Sequence, residues 1–301
     1  MSDATAALTV TIDTIAPAAP AALDLSADSD SGTSSTDDIT NDNTPTLDGT
    51  ADDGVTVTVT SNIDGVLGTT GSDGTWTLTT SAMSDATHAV TAVATDTAGN
   101  EGPASSGLTV TIDTVAPAIP STPDLDAASD SGSSTTDDIT NVTAPVFSGT
   151  ADDGSVVTLF SDIHEDVGSV ISNGTWTILT SALDEGTHMM AAIATDPAGN
   201  ESAESGELTV VIDTSAPSDP STPDLNAASD TGPSDTDDIT SDNTPTFDGT
   251  AEPGVTVTLM SDLDGELSEM TSDGSWSVTA TQMIEGQHSV TATATDPAGN
   301  T

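Results

Sequence analysis

Aspartate recurs at fixed offsets through this chain, and the pattern repeats every 100 residues. In the first repeat Asp24, Asp30, Asp37 and Asp38 fall within "DLSADSDSGTSSTDDIT"; the second places Asp124, Asp130, Asp137 and Asp138 there, and the third Asp224, Asp230, Asp237 and Asp238. A further set sits at glycine-containing turns: Asp52 and Asp53, their counterparts Asp152 and Asp153, then Asp96 with Asn100, Asp196 with Asn200, and Asp296. Asp13, Asp113 and Asp213 close the motif "TID" or "VID". Asp, Asn, Ser and Thr oxygens clustered around turns are the donors a hard cation takes. Calcium accepts six to eight such oxygens in irregular geometry, whereas magnesium demands a strict octahedron and keeps its waters. Zinc lacks its preferred thiolates here, because the chain has no cysteine. All of these Asp and Asn residues are therefore expected calcium ligands, with at least one Ca²⁺ per repeat. The bland alternative is that acid-rich loops are simply solvated. Neither "DSDSG" at Asp28 nor "DLDGE" at Asp262 completes an EF-hand loop, which needs a glutamate at the twelfth position and flanking helices.

The need for cations follows from the composition. Fifty Asp and Glu residues face no Lys or Arg and four His, a formal charge of -50 at pH 7. No ion pair with Lys or Arg exists to offset self-repulsion, and such a polyanion is repelled by nucleic acid phosphates and anionic membrane surfaces. Nucleic acid and membrane partners are thus not expected. There is no basic, apolar N-terminal leader pattern and no run of apolar residues long enough for a membrane helix. Catalysis finds no support either. Paired carboxylates are too numerous to specify a glycosidase site, and no nucleophile elbow, HExxH or phosphate loop is present.

The elements that must position these residues are strands. "LTVTID" from Leu8 and "VTVTVT" from Val55 alternate apolar and polar residues with the period of a half-buried β-strand. In the first repeat, strands are expected near Pro17 to Leu25, Thr46 to Ala51, Val55 to Thr60, Val66 to Thr70, from Thr75, from His88, and from Leu108 to Asp113. Turns at "DDG", "IDG" and "SDG" separate them. Seven short strands per 100 residues predict an all-β chain of tandem immunoglobulin-like β-sandwich modules, joined end to end as an elongated rod. The expected divisions are 1–14, the last strand of a preceding module; 15–114, module 1; 115–214, module 2; and 215–301, module 3, which lacks its final strand. The first acidic group then lies at the bottom of each module, and the turn aspartates lie at the top. A junction is expected to gather Asp113, Asp152, Asp153, Asp196 and Asn200. The N-terminal strand of another molecule is also expected to be able to fill module 3 by end-to-end strand exchange.

Other recurrent residues have structural readings. Trp76, Trp176 and Trp276 follow tight turns and are expected in the core, and His88, His188 and His288 open a strand as capped or partly buried residues. His164 has no counterpart and is expected on a surface turn. "NGT" at Asn173 and "NES" at Asn200 match the glycosylation sequon but are read as turn residues.

The combination of "DLDAASDSGSSTTDDIT", "TPTFDGTAEPG", "DGTW", and "ATDPAGN" followed by "LTV" and "IDT" resembles the tandem bacterial immunoglobulin-like domains of very large surface adhesins. These are the biofilm and RTX adhesins that Gram-negative bacteria export by type I secretion. The resemblance implies non-enzymatic, extracellular extender modules at the cell surface. Calcium ions and neighbouring modules of the same chain would be their partners, with the adhesive ligand bound elsewhere in the parent protein. Two alternatives are modules that themselves bind a glycan or protein, and accessory repeats of a secreted enzyme.

Overall fold

A computed structural model describes residues 6–234 and 236–301. Within these the chain is all β. Module 1 contains β1 (Ala21–Leu25), β2 (Ile39–Thr40), β3 (Thr46–Thr50), β4 (Thr56–Ser61), β5 (Gly65–Gly71), β6 (Thr75–Thr79), β7 (Ala86–Thr95) and β8 (Leu108–Ile112). Module 2 repeats the series as β9 (Asp124–Leu125), β10 (Ile139–Thr140), β11 (Val146–Thr150), β12 (Val156–Ser161), β13 (Gly168–Ile171), β14 (Thr175–Leu179), β15 (Gly186–Thr195) and β16 (Leu208–Ile212). Module 3 has β17 (Asp224–Leu225), β18 (Thr246–Thr250), β19 (Thr256–Ser261), β20 (Gly265–Thr271), β21 (Ser275–Thr279) and β22 (Val290–Thr295).

Modules 1 and 2 each set a three-stranded sheet, β1-β3-β6 or β9-β11-β14, against a five-stranded one, β2-β8-β7-β4-β5 or β10-β16-β15-β12-β13. The seven expected strands of the first repeat all form. The additional two-residue strands, β2 and β10, run parallel to β8 and β16 through Ile39↔Thr111 and Ile139↔Val211. A two-residue pairing carries no alternation, so sequence periodicity cannot show it.

Alternation fixes which side chains face inward. Val57 and Val59 of β4, Val90, Ala92 and Ala94 of β7, and Val110 and Ile112 of β8 are fully buried, while the intervening threonines face outward. Each tryptophan is buried, as its position after a turn leads one to expect. It is paired across the sheet with a glycine: Gly49↔Trp76, Gly149↔Trp176 and Gly249↔Trp276. A Cβ at Gly149 would stand 2.5 Å from Trp176 Cζ2, so the indole lies over bare backbone. That contact explains a glycine in the middle of β11, a place where glycine ordinarily weakens a strand.

His88 and His188 are fully buried. In His88, Nε2–H donates to the Ser84 carbonyl at 2.8 Å, and Nδ1 lies 2.8 Å from Ser61 Oγ, which donates to it. Both ring nitrogens are used, so the histidine staples the start of β7 to the end of β4. His164 lies in the loop between β12 and β13, half-exposed, and stacks on His188 with ring centroids 5.9 Å apart.

Candidate metal centre and the junction between modules

The loop from β9 to β11 builds the acidic centre of module 2. It opens with a tight turn in which the Ser129 and Asp130 N–H groups both donate to the Asp126 carbonyl, at 2.7 and 3.1 Å. This drives the Asp130 side chain inward, where it is only 3 % exposed. Its Oδ2 accepts a long hydrogen bond from the Asp138 N–H at 3.4 Å, and its buried Oδ1 has no hydrogen-bond partner. Asp138 adopts φ 59°, the left-handed region, which Asp tolerates better than most residues. The other two loops repeat this arrangement. Asp30 and Asp230 are also buried with a partnerless Oδ1, and Asp38 and Asp238 have φ 59° and 55°. In module 3 Asp230 Oδ2 accepts from both the Asp237 and Asp238 N–H groups.

Asp24, Asp30, Asp37 and Asp38 come together closely enough to feel one another's charge, as do Asp124, Asp130, Asp137 and Asp138. Burial pushes the Asp30 and Asp130 carboxyls up, and the neighbouring Asp37 or Asp137 charge adds to this. Asp38 is raised by burial, then by Asp24, Asp30 and Asp37; Asp138 is raised by burial, then by Asp130, Asp124 and Asp137. Among the described residues, no three Asp, Glu, His or Cys side chains converge as a finished metal cage. The orphaned, buried Oδ1 nevertheless fits an oxygen-coordinated cation, because an unpaired buried carboxylate oxygen is otherwise costly. The carboxylates of Asp137 and Asp138 lie near enough to act on it.

The sign of these shifts gives a pH prediction. A carboxyl whose folded value is raised opposes folding when ionised. That opposition is full above the folded value and is relieved as pH falls through it towards 3.8. Asp96 and Asp242, lowered chiefly by hydrogen bonds from Asn100 and Thr244, act in the other window. Their contribution is present above 3.8 and is lost as pH falls through their lower folded values. In EDTA, differential scanning calorimetry is expected to show the unfolding midpoint rising as pH falls through the raised Asp30, Asp38, Asp130 and Asp138 values towards 3.8, and falling once pH drops below it. With calcium bound the first trend reverses, because protons then compete with the ion.

The turn aspartates are placed differently. Asp196 Oδ1 accepts from the Asn200 N–H at 2.9 Å and Oδ2 accepts from Asn200 Nδ2 at 2.8 Å. Asn200 Nδ2 also donates to the Asp113 carbonyl at 2.8 Å, which ties the linker to the module that follows it. Asn100 and Asn300 bond Asp96 and Asp296 in the same way, and reach the carbonyls of Asp13 and Asp213. Asp113 Oδ1 accepts from the Val115 N–H, with Asp13 and Asp213 repeating that turn. Asp52 and Asp152 accept from the Ala18 and Ala118 N–H groups, while Asp53 and Asp153 are exposed. Of the expected junction set, Asp113, Asp152, Asp196 and Asn200 make hydrogen bonds around the linker and Asp153 is exposed, while the orphaned oxygens lie in the bottom loops.

Sequence reading missed a direct contact between modules. Ser31 Oγ donates to the Ala198 carbonyl at 2.8 Å, and Ser131 Oγ to the Ala298 carbonyl at 2.5 Å. A Cβ on Gly32 or Gly132 would stand 2.0 or 1.9 Å from the carbonyl oxygen of Pro197 or Pro297. With φ of 97° and 94°, these glycines are required twice over, by conformation and by close approach. The signal was present as glycine recurring two residues after Asp30 and Asp130, but it reads as an ordinary turn without the partner loop.

Comparison with known proteins now bears on this arrangement. A family model described as the bacterial Ig-like domain matches residues 16–114, 116–214 and 217–301. The chain belongs to the bacterial Ig-like domain family. No curated protein matches this Ig-like array. Among solved structures, fibronectin(III)-like modules of CbhA from Clostridium thermocellum share 17 % identity with it, covering 58 % of this chain and 87 % of that one at a TM-score of 0.35. The BSP domain of a biofilm associated protein shares 13 % over 84 % of the array and 60 % of its own chain, at 0.23. The central fibronectin-III array of RIM-binding protein shares 11 % over 95 % and 94 %, also at 0.23. Ig-like modules of this kind are a non-catalytic module type.

Proposed function

We propose that this array is a calcium-stiffened spacer segment of a large bacterial cell-surface adhesin, holding a distal ligand-binding region away from the cell for adhesion or biofilm formation. The observation that carries this reading is the buried, partnerless Asp130 Oδ1 beside Asp124, Asp137 and Asp138. The same orphan recurs at Asp30 and Asp230 in a chain without Lys or Arg. Asp130 would hold the ion from inside the loop, with Asp138 and Asp137 beside it and Asp124 at the strand edge. Bound calcium would supply the positive charge that the sequence lacks. Ion binding then stabilises the loop whose Ser131 and Gly132 meet the next module, which links folding of the loop to stiffness of the junction. In this reading the chain works outside the cell. Calcium there is plentiful, and export through type I secretion would deliver the chain unfolded.

Small-angle X-ray scattering tests the mechanical claim. In calcium the three modules should give a single extended length. EDTA, or Gly132→Val in calcium, should broaden the distance distribution, the variant only at the junction between modules 2 and 3. A distribution indifferent to both would sink the spacer reading.

A further inference from the structure

The outward face of the five-stranded sheet is chemically different in module 2. Residues opposite one another on paired strands share a face, and every second residue along a strand returns to it. The pairs Val156↔Ile171, Phe160↔Ala191 and Thr187↔Val211 alternate with the buried Val157, Leu159 and Val210, so they stand on the outer surface. That surface is largely apolar, with Val156, Phe160, Ile171, Met189, Ile193 and Val211 on it. Module 1 has Thr56, Thr60, Gly71, Ala89, Val93 and Thr111 at the same positions, and module 3 has Thr256, Met260, Thr271, Ser289 and Thr293. Residue 191 is alanine where the other copies have Thr91 and Thr291. Ile171 is 69 % exposed and Met189 38 %, while Ala191, opposite Phe160, is only 3 % exposed.

Threonine is the ordinary water-facing residue of these sheets, and module 2 replaces it with larger apolar side chains that gain nothing from water. A contiguous apolar surface confined to one module of three marks a contact site. The strands carry no charge on this face, but carboxylates border it. Asp162, Glu185, Glu207 and Asp213 each lie one residue beyond a strand end, in step with the outward positions. Asp162 Oδ1 accepts the Met189 N–H at 2.8 Å, which fixes that carboxylate beside the patch.

The border selects the occupant. A second copy of this chain would set carboxylate against carboxylate at a formal charge of -50 each, and anionic lipid is repelled in the same way. An apolar stripe flanked by Lys or Arg matches both the patch and its rim. We propose that the outer face of β10-β16-β15-β12-β13 docks a cationic amphipathic helix of a partner protein. Five strands about 4.8 Å apart span about 19 Å, the length of a helix of about 13 residues. Its apolar side chains would cover Phe160, Met189 and Ile193, and its basic ones would reach Asp162 and Glu207. Such docking adds a binding function to the array and does not depend on its role as a spacer.

Isothermal titration into the full chain in calcium tests this with two synthetic peptides. One is a helical peptide of about 14 residues with Leu along one face and Lys on the other. The second has the same composition shuffled so that no apolar face forms, which isolates general attraction to a polyanion. The striped peptide is expected to bind one per chain, at least about tenfold tighter than the shuffled one. It should also persist as salt rises, while the shuffled peptide is lost. Phe160→Thr with Met189→Ala puts module 1 residues on the face and should remove that advantage, with β-sheet circular dichroism retained. Val156→Thr with Ile193→Val is an independent second variant and should weaken the striped peptide in the same direction. Equal affinity for the two peptides, or a striped-peptide affinity unchanged in both variants, would overturn the proposal. A wild-type dimer dispersed by Phe160→Thr with Met189→Ala would overturn it too, by assigning the face to a second copy.

Discussion

Chelation of calcium is expected to lower the unfolding midpoint of this chain by about 10–20 °C. An ion present at about 100 times its dissociation constant adds about 2.7 kcal/mol to each module it binds. For a domain of about 100 residues, each kcal/mol moves the midpoint by about 4–8 °C. The effect is specific to the bottom loops. Asp30 and Asp130 are raised by burial and by neighbouring aspartates, so their ionised state opposes the fold until a cation is present. Calorimetry in calcium and in EDTA at pH 7 measures it. A change of less than about 2 °C, well below the shift one such ion implies, would leave the orphaned Asp130 Oδ1 without an explanation.

The second large effect belongs to the core. Trp176→Ala removes the side chain that covers Gly149, and is expected to cost about 3–5 kcal/mol. Against a typical domain stability of about 5–15 kcal/mol this unfolds module 2 at a much lower temperature than its neighbours. The melting curve should therefore split into two transitions. Trp176→Phe should cost less, because the indole N–H of Trp176 has no acceptor to lose and an aromatic ring still covers the glycine. Equal damage from both substitutions would show that the ring is not what packs there.

The strands were legible because β4 and β8 alternate threonine with valine, leucine or isoleucine, and one face of each is buried. The tryptophans were legible from their fixed place after a turn. Three things were not. The pairing of β2 with β8 spans two residues inside an acidic loop. The role of Gly132 depends on Pro297, 165 positions away in the chain. The choice among aspartates depends on side-chain direction: Asp130 turns inward while Asp37 and Asp137 remain exposed, and Asp196 spends both oxygens on Asn200. Sequence spacing marks where carboxylates cluster, but only the folded turn separates a carboxylate with an orphaned buried oxygen from a hydrogen-bonded cap.

The most direct test of the cation sites is isothermal titration of calcium into the intact chain and into the triple variant Asp30→Asn, Asp130→Asn, Asp230→Asn. The wild-type chain is expected to bind at least one equivalent per module, and the variant to lose those equivalents while retaining its β-sheet circular dichroism. Absence of calcium binding to the wild-type chain, or an unchanged stoichiometry in the variant, would contradict the assignment of the buried aspartates as the cation sites.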